Sequence, residues 1–517
     1  MNVRRERTLE ELGQGVFDVL VVGGGIVGSR VAWDAARVGL RVALVDAGDF
    51  GGATSSSSAR LVHGGLRYLK TGDIGLVRTA LRERNALASR IAPHLVRPMP
   101  FVLASSRAPR GRLGCAGGLS AYSVLGGFRG PLPRLISSQE AARLVPPLRT
   151  ENLGLSAVFH EASTNDGRLT LATVTAAARV GAVVANYLRA VALDLAPGNT
   201  SRVLLEDQEG EGTVDVLCRV VVNATGPWVD TIRRLEDPRC EPLARLSKGI
   251  HVVLRPADRW RAALAVSLDG GGHLYAVPCE DTVLLGTTDT EYVGDPGHVE
   301  PEPEEVSALL DAASGFVARE SLCRERVISA FAGLRVLPRE EGAAASAPRE
   351  HVLSVGPGGM VSVAGGKLTT HRRIALDALR HFPARVCPRV ALSDEPLPGA
   401  NVSRGLTLRL DASTRDHLLH LYGGEAETLL DYAGRFPDAL QRITPSAPDI
   451  RAQVYHAISE EWAVTVSDVI HRRTTLGLRG FDTPTVRSGI SRLLNSEGST
   501  PGADLPETST IQTPHNP

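Results

Sequence analysis

A glycine pattern near the N-terminus has the residue types that bind a dinucleotide. Gly23, Gly25 and Gly28 are spaced as GxGxxG in "VVGGGIVGSR". The first glycine permits a tight turn, the second lets the backbone approach a pyrophosphate, and the third lets a helix pack closely on a strand. Asp46 closes the next apolar run, where it is placed to accept hydrogen bonds from an adenosine ribose. The pattern predicts a dinucleotide site and leaves open whether NAD or FAD occupies it.

A hydroxyl-rich segment follows this unit directly, with the sequence "GGATSSSSARLVHGGLRYLK" from Gly51 to Lys70. Its hydroxyls and backbone N–H groups suit a pyrophosphate and the edge of a flavin. A flexible linker is the alternative, but the apolar continuation "LVHGGLRYL" disfavours it. We therefore expect this segment to line the dinucleotide site.

Lysine is rare in this chain. Lys70, Lys248 and Lys367 are the three lysines among 57 Lys and Arg residues. Lys367 stands in "SVAGGKLTTHRRIA", where the glycines predict a helix that begins at about Leu368. The positive end of that helix and a compact ammonium would stabilise negative charge on a reduced flavin. We interpret both Lys248 and Lys367 as positions that require an ammonium group; chance survival of three lysines is the alternative.

These residues need strands and helices to position them. Apolar periodicity predicts a strand, a helix and a second strand between residues 18 and 46, and a further helix that follows Asp166 and runs to about Arg179. An apolar strand at residues 220–222 then runs into an Ala-Thr-Gly turn at residues 224–226. Strand-like runs separated by Gly/Pro-rich loops occupy residues 70–155 and 250–345, and helical periodicity prevails from 400 to 495.

Composition excludes several classes of protein. The 517 residues carry no formal net charge and no long basic block, which disfavours nucleic-acid binding. Six scattered cysteines form no CxxC pair, so we expect a reducing compartment and no metal site. The N-terminus lacks the apolar core of a signal peptide, and no long apolar run could span a membrane. We expect a cytoplasmic protein, with peripheral attachment to the inner face of the cytoplasmic membrane left open.

The order of seven motifs resembles the FAD-dependent (aerobic, respiratory) glycerol-3-phosphate dehydrogenase family. The motifs are "GGGIVG", "ATSSSSARLVHGGLRYL", "NATGPWVD", "SKGIHVVL", "GTTDTEY", "FAGLRVLP" and "GGKLTTHRR". The resemblance covers residues 16–380, and "EEWAVTVSDVIHRRTTLGL" is similar to the family's helical cap domain. Asp46 replaces the commoner Glu, and His371 stands where Tyr is familiar, which puts one contact behind the site in doubt.

The resemblance implies an α/β (α+β) flavoprotein. A Rossmann-like FAD domain would comprise residues 16–70, 155–250 and 350–395, and an inserted antiparallel-sheet substrate domain residues 71–154 and 251–349. A helical C-terminal domain would span residues 400–495, followed by a disordered tail at 496–517. The resemblance leaves a homodimer open.

The resemblance also implies the site residues. Substrate-pocket and catalytic positions are Arg67, Tyr68, His251, Arg335, Arg349 and Lys367. Positions at FAD are Gly23, Gly25, Gly28, Asp46, Thr54, Ser55, Ser58, Ala190, Ala224, Gly226, Gly366, Lys367 and Leu368. Arginine can hold a phosphate dianion bidentately, and histidine has an ordinary pKa near neutral pH. His251 is the preferred base; a core histidine or a phosphate donor is the alternative.

The expected reaction is oxidation of sn-glycerol 3-phosphate to dihydroxyacetone phosphate, with hydride transfer to flavin N5 and electrons passed to a membrane quinone. A glycerophosphate oxidase that uses O2 and a non-catalytic flavin-binding module are the alternatives. The segment "CAGGLSAYSVLGGFRG", residues 115–130, is a candidate membrane patch, and a buried core segment is the other interpretation.

Overall fold

The computed structural model describes residues 3–66, 72–105, 111–127, 131–151, 153, 155–267, 273–339, 351–386, 391–402 and 410–497. Within these ranges, no helix combines the length and the apolar composition needed to cross a membrane.

The described residues form the following strands and helices, numbered in chain order. The strands are β1 Val16–Val22, β2 Val42–Val45, β3 Leu61–Val62, β4 Val96–Ser105, β5 Arg134–Ile136, β6 Leu155–Thr164, β7 Val183–Ala185, β8 Leu188–Asp194, β9 Ser201–Asp207, β10 Thr213–Asn223, β11 Ala244–Leu254, β12 Ala263–Ser267, β13 His273–Cys279, β14 Thr282–Gly286, β15 Thr290–Tyr292, β16 Val327–Pro338, β17 His351–Val355 and β18 Val361–Gly365. The helices are α1 Val3–Leu12, α2 Ile26–Arg37, α3 Ile74–Ala86, α4 Gly111–Leu125, α5 Ser138–Leu144, α6 Asp166–Arg179, α7 Val229–Glu236, α8 Pro303–Ala313, α9 His371–Leu379, α10 Ala412–Tyr422, α11 Thr428–Asp431, α12 Arg451–Ser459, α13 Val466–Asp468 and α14 Pro484–Glu497.

The first sheet, which we call the nucleotide sheet, has the strand order β17-β18-β10-β1-β2-β7; β9 also pairs with β10, and β8 pairs with β9. β1 pairs in parallel with both β2 and β10, so the carboxyl ends of these strands meet at one edge. Helices α2, α6 and α9 bury their apolar residues on one face of this sheet. Helix α1 and strands β8 and β9 cover the other face.

The second sheet, which we call the substrate sheet, has the order β15-β11-β14-β13-β12-β4-β6-β3, with β16 paired to β11 and β5 to β6. Side chains of β11 alternate between its two faces, as the pleat of a strand requires. Ile250 and Val252 enter an apolar core that also contains Leu309 of α8. Gly249 and His251 lie on the opposite face.

Helices α10 to α14 form a C-terminal domain around two small apolar clusters. This domain lies against α6, because the buried Arg168 of α6 donates a 2.7 Å hydrogen bond to Glu461. The contact fixes the helical domain beside the nucleotide sheet.

The structure confirms the predicted fold class and, locally, the predicted β1–α2–β2 unit and helix α6. Two expectations differ from the structure. The strands at residues 155–164 and 244–254 pair within the substrate sheet, not with the nucleotide sheet, because strand partners are set by distant residues. Helices α3, α4, α5 and α8 lie in segments expected to be strands and loops. The disordered tail was expected to begin at residue 496, but residues 496 and 497 belong to α14, and residues 498–517 lie outside the described residues.

Candidate active site

A cavity of about 2390 Å³ lies between the two sheets and opens at the carboxyl edge of the nucleotide sheet. This is larger than an ordinary small-molecule pocket of about 300–1000 Å³, and it has room for a dinucleotide and a small substrate together. Its walls come from the β1–α2 turn, the hydroxyl-rich segment, the turn after β10, strands β11 and β16, and residues 365–369.

The glycine loop between β1 and α2 takes the shape that its spacing predicts. Gly23 has φ +107°, and a Cβ there would lie 2.5 Å from the Ala224 carbonyl oxygen. A Cβ at Gly28 would lie 1.9 Å from the Gly23 carbonyl oxygen, so Gly28 lets the helix pack against the turn. Gly25 lines the cavity, and the nearest atom to its Cβ position is the Ser55 hydroxyl at 3.1 Å. The backbone at Gly25 is therefore open to a ligand.

Asp46 ends β2 on the cavity wall. One carboxylate oxygen accepts a 2.7 Å hydrogen bond from the Gly24 backbone N–H, and the other accepts a 2.9 Å bond from Gly48. Burial raises the pKa of this carboxyl to about 6, although the two backbone donors act in the opposite direction. Asp46 thus holds the glycine loop and presents remaining acceptor capacity to the cavity.

Hydroxyls of the segment after β2 connect the walls of the cavity. Thr54 donates a 2.8 Å hydrogen bond to the Leu334 carbonyl of β16, and Ser55 accepts a 3.0 Å bond from the Ile26 backbone N–H. Ser58 donates a 2.6 Å bond to Asp166 at the start of α6. All three hydroxyl residues line the cavity. Their predicted contacts to a flavin stay predictions, but the protein contacts fix where the segment lies.

Three small residues complete the nucleotide side of the cavity. Ala190 on β8, Ala224 and Gly226 all line it, and Gly226 has φ +56°. Ala224 donates its backbone N–H to the Val22 carbonyl at 2.8 Å, which binds this turn to the end of β1. Gly28 does not line the cavity and acts through packing alone.

The turn that carries Lys367 begins a helix at the predicted residue. Gly365 and Gly366 have φ of +80° and +97°, and a one-turn helix over Leu368–Thr370 leads directly into α9. Gly366, Lys367 and Leu368 line the cavity. The positive end of this helical segment therefore lies at the cavity wall. His371 is buried within α9, where its Nδ1 lies 2.7 Å from the Leu368 carbonyl.

His251 lies on the cavity face of β11, and its ring stacks on Phe331 of β16 with centroids 5.1 Å apart. Neither ring nitrogen has a hydrogen-bond partner among the described residues. Burial lowers the pKa of His251 to about 3, and the charges of Arg335 and Arg60 act in the same direction. The imidazole is therefore neutral at neutral pH and can accept a proton or a hydrogen bond.

Arg335 of β16 pairs with Ser247 of β11 and lies on the same face of the sheet as His251. Its Nη2 donates 2.9 Å hydrogen bonds to the Thr287 hydroxyl and the Thr288 carbonyl. Its Nη1 lies 3.2 Å from the exposed carboxylate of Asp289. The guanidinium is thus fixed on one side by threonines and paired on the other with an acid that an anionic ligand can displace.

Four other residues with predicted roles are not among the described residues of the cavity wall. Arg67, Tyr68 and Arg349 lie outside the described residues. Lys248 does not line the cavity; its ammonium lies 2.8 Å from Glu305 of α8 and donates to the Glu300 carbonyl. Its role in the structure is to fix α8 on β11.

Sequence reasoning missed many residues of the cavity wall, and three of them are ionisable side chains that bear on the site. Glu161 of β6 lines the cavity and accepts hydrogen bonds from Arg84 at 2.7 Å and from the Gly64 backbone. His63 and Arg472 also line it. The motif "HGGL" contained the signal for His63. Nothing in the local sequence places Arg472, from the C-terminal domain, at this cavity.

Comparison with known proteins assigns two family domains. Residues 18–372 match the family described as FAD dependent oxidoreductase, and residues 391–488 match the C-terminal domain of alpha-glycerophosphate oxidase. The chain is 34% identical to the glycerol-3-phosphate dehydrogenase of Mycobacterium leprae, over 92% of this chain and 83% of that protein. It is 33% identical to the glycerol-3-phosphate dehydrogenase of Synechocystis, over 91% of each chain.

Two solved structures have a similar fold. Glycerol-3-phosphate dehydrogenase from Bacillus halodurans, complexed with FAD, is 26% identical, with a TM-score of 0.77 and coverage of 96% of this chain and 93% of that one. L-alpha-glycerophosphate oxidase from Mycoplasma pneumoniae, with FAD bound, is 16% identical, with a TM-score of 0.58 and coverage of 74% and 100%. The second likeness concerns the fold alone.

FAD is the cofactor of this chain, and the described residues fit it. An extended dinucleotide needs its contacts spread along one cavity. This cavity is lined by the backbone at Gly25, which has no side chain, by the hydrogen-bond acceptor Asp46 and by the helix start at Leu368. No group of three or more His, Cys, Asp or Glu side chains in the described ranges could hold a metal ion.

Replacing Gly25 by Val should remove FAD without unfolding the protein. A Cβ at Gly25 would lie 3.1 Å from the Ser55 hydroxyl, so the Ser55 side chain must shift slightly in the apoprotein, and the valine would occupy the path of the pyrophosphate. Flavin absorbance after purification and circular dichroism of the apoprotein measure the two effects. Gly28→Val is the comparison, because its side chain meets the backbone and should destabilise the fold itself. Full FAD retention in Gly25→Val would contradict the assignment of this loop.

Proposed function

Because this chain belongs to the family of FAD-dependent glycerol-3-phosphate dehydrogenases, we propose that it oxidises sn-glycerol 3-phosphate to dihydroxyacetone phosphate and passes the electrons to a quinone. One observation supports this substrate class most strongly. A neutral, buried imidazole and an arginine fixed by threonines lie on the same face of one pair of strands, within the cavity that accommodates FAD.

Arg335 is the proposed phosphate-binding residue. Its side chain is 35% exposed, and its partner Asp289 is 75% exposed, so separating this surface pair costs little. Gly249 makes room for the guanidinium, since a Cβ there would lie 2.5 Å from Nη2. A phosphate that replaced Asp289 would meet a donor already held in place by Thr287.

His251 is the proposed acceptor of the alcohol proton. Gly286 makes room for the ring, because a Cβ at this residue would lie 2.3 Å from Cδ2 of His251. With a pKa of about 3, His251 would be a weak base. The positive charge of Arg335 is one cause of this low pKa, and a phosphate dianion bound beside Arg335 would offset that charge. Substrate binding would thus move the pKa of His251 toward the range that proton transfer requires.

FAD held by the glycine loop and by residues 366–368 would supply the hydride acceptor, at N5, and the means of passing the electrons on to a quinone. Lys367 and the helical turn at Leu368 would stabilise the negative charge of the reduced ring.

Peripheral attachment to the inner face of a membrane would give a quinone access to this cavity. Val124 on α4, Ile74 at the start of α3, and Leu132 and Leu135 around β5 are each more than half exposed. Helices α3 and α4 pack together, and both α4 and β5 contact β6, so these side chains lie on neighbouring elements. Leu119 and Tyr122, on the same helix as Val124, are buried, so α4 has one face in the protein. Exposed apolar side chains on neighbouring elements support the proposal of interfacial binding.

Arg335→Lys should slow reduction of bound FAD by glycerol 3-phosphate by about 10²- to 10³-fold, because an ammonium cannot reproduce the planar clamp. Anaerobic stopped-flow absorbance measures the rate. Arg202→Lys is the matched control: Arg202 makes a bidentate pair with Asp215 at 2.7 and 2.6 Å on the surface, away from the cavity. Equal rates in wild type and Arg335→Lys would exclude Arg335 from the substrate pocket.

His251→Asn should keep FAD and reduce the rate of flavin reduction by about 10²- to 10⁴-fold. In the wild type this rate should fall as the pH drops through the pKa of His251 in the substrate complex, since the protonated ring cannot accept the alcohol proton. The variant should lose that part of the pH profile. An unchanged rate and profile would assign the base to another residue.

The acceptor is tested by reducing the enzyme anaerobically with glycerol 3-phosphate and following its reoxidation. A short-chain quinone in detergent should reoxidise it faster than air-saturated buffer does. Faster reoxidation by air with stoichiometric hydrogen peroxide would favour a glycerophosphate oxidase, whose C-terminal domain family matches residues 391–488.

A further inference from the structure

The loop of residues 46–52, which we call the ribose loop, lies between the glycine loop and the C-terminal domain. On one side, Asp46 accepts the Gly24 backbone N–H at 2.7 Å, and Gly51 donates its own N–H to the Gly24 carbonyl at 3.0 Å. The ring of Phe50 fills the space where Gly24 lacks a side chain. The ribose loop therefore sets the position of the backbone that accommodates the pyrophosphate.

On the other side, the C-terminal domain holds the ribose loop through a buried ion cluster. Arg473 donates a 2.7 Å hydrogen bond to one carboxylate oxygen of Asp49, and Arg472 and Arg473 both donate to the other. Burial alone would raise the pKa of Asp49, but the charges of Arg473 and Arg472 hold it below its ordinary value. Asp49 is thus an ionised group whose only cationic partners, within the described residues, come from the helical domain.

An aromatic contact and a shared amide reinforce this junction. Phe50 packs edge to face against Trp462 of the C-terminal domain, with ring centroids 5.7 Å apart. The side-chain amide of Asn186 donates to Asp49 at 3.2 Å and to the Trp462 carbonyl at 2.7 Å. The ribose loop and the helical domain therefore share polar and apolar contacts and should move together.

Arg472 connects this junction to the cavity. It lines the cavity wall, and it is the one described residue between 410 and 497 that does so. Its Nη2 is held at 2.8 Å by Asp468, on the preceding turn of the same domain. Its charge also lowers the pKa of Asp46, while Asp49 acts in the opposite direction.

We propose that the C-terminal domain completes the FAD site, with Arg472 as a positioning residue that acts through Asp49 on the ribose loop. FAD binding and docking of the helical domain then stabilise each other, because each favours the same arrangement of residues 46–52. Reciprocal coupling is a thermodynamic requirement of such an arrangement. The inference rests on the FAD site alone and does not depend on the proposed substrate or electron acceptor.

A second arginine of the C-terminal domain, Arg479, serves as a control, because it contacts another domain but not the FAD site. Arg479, also in the C-terminal domain, donates to Asp281 at 2.7 Å and to Glu280 at 2.8 Å. These acids belong to the turn between β13 and β14 of the substrate sheet, and Arg479 does not line the cavity. Arg479→Gln therefore removes an ionic contact between the C-terminal domain and another part of the protein without reaching the ribose loop.

The first measurement is the dissociation constant of FAD, obtained by titrating apoprotein and following quenching of flavin fluorescence. Arg472→Gln should weaken FAD binding by about tenfold or more, as expected for a typical coupling between sites. Arg472→Lys keeps the charge and can reach either Asp49 or Asp468 but not both, so its FAD dissociation constant should lie between those of Arg472→Gln and the wild type. Arg479→Gln should bind FAD as the wild type does.

The second measurement is hydrogen exchange of residues 410–497 with and without FAD. In the wild type and in Arg479→Gln, FAD should slow exchange in this domain, and in Arg472→Lys the protection should be smaller. An unchanged FAD dissociation constant in both Arg472 variants, or an equal loss in Arg479→Gln, would overturn the proposal. The wild-type experiment is decisive even where Arg472→Gln does not fold: absence of FAD-dependent protection in residues 410–497 would also overturn it. None of these measurements uses glycerol 3-phosphate, so they remain valid whatever the substrate is.

Discussion

The close approach of two backbone turns, at Gly23 and Ala224, is the constraint on which the dinucleotide site depends. Parallel pairing of β1 with β10 brings both turns to one edge of the sheet, and the Ala224 N–H closes the gap by donating to Val22. No side chain fits at Gly23, because its Cβ would lie within 3 Å of the Ala224 and Thr225 backbone. The cavity opens where these two turns meet, so every other wall is positioned relative to this contact.

The opposite wall follows from the alternation of side chains in two paired strands. Gly249 lies opposite Gly333, and His251 opposite Phe331, across β11 and β16. The glycine pair removes side chains where Arg335 and the hydroxyl-rich segment approach: a Cβ at Gly333 would lie 2.4 Å from the Ser57 carbonyl. The same strands bury apolar residues on their other face, so the site lies on a closely packed sheet that resists displacement. This packing keeps the imidazole of His251 and the guanidinium of Arg335 at a fixed distance from each other, which positioning of a small substrate requires.

The sequence was sufficient for features set by neighbouring residues. The β1–α2–β2 unit, helix α6 and the helix start at Leu368 follow from apolar periodicity and glycine placement, which are local properties. The sheet to which β6 and β11 belong could not be predicted, because an apolar strand carries no signal for its partner. The hydroxyls of Thr54 and Ser58 were expected at a flavin, but their partners Leu334 and Asp166 are distant in sequence. Arg472 was missed for the same reason.

Lys248 and Lys367 show why rarity of a residue type indicates constraint but not function. Lys248 lies on the face of β11 turned away from the cavity, where its ammonium meets Glu305 at 2.8 Å and its side chain is 9% exposed. A compact cation fits this narrow contact between β11 and α8, so the requirement there is structural. Lys367 follows two glycines with positive φ and lies on the cavity wall at the start of a helix. The same ammonium group thus satisfies packing at one position and faces a ligand cavity at the other, and only the tertiary arrangement distinguishes them.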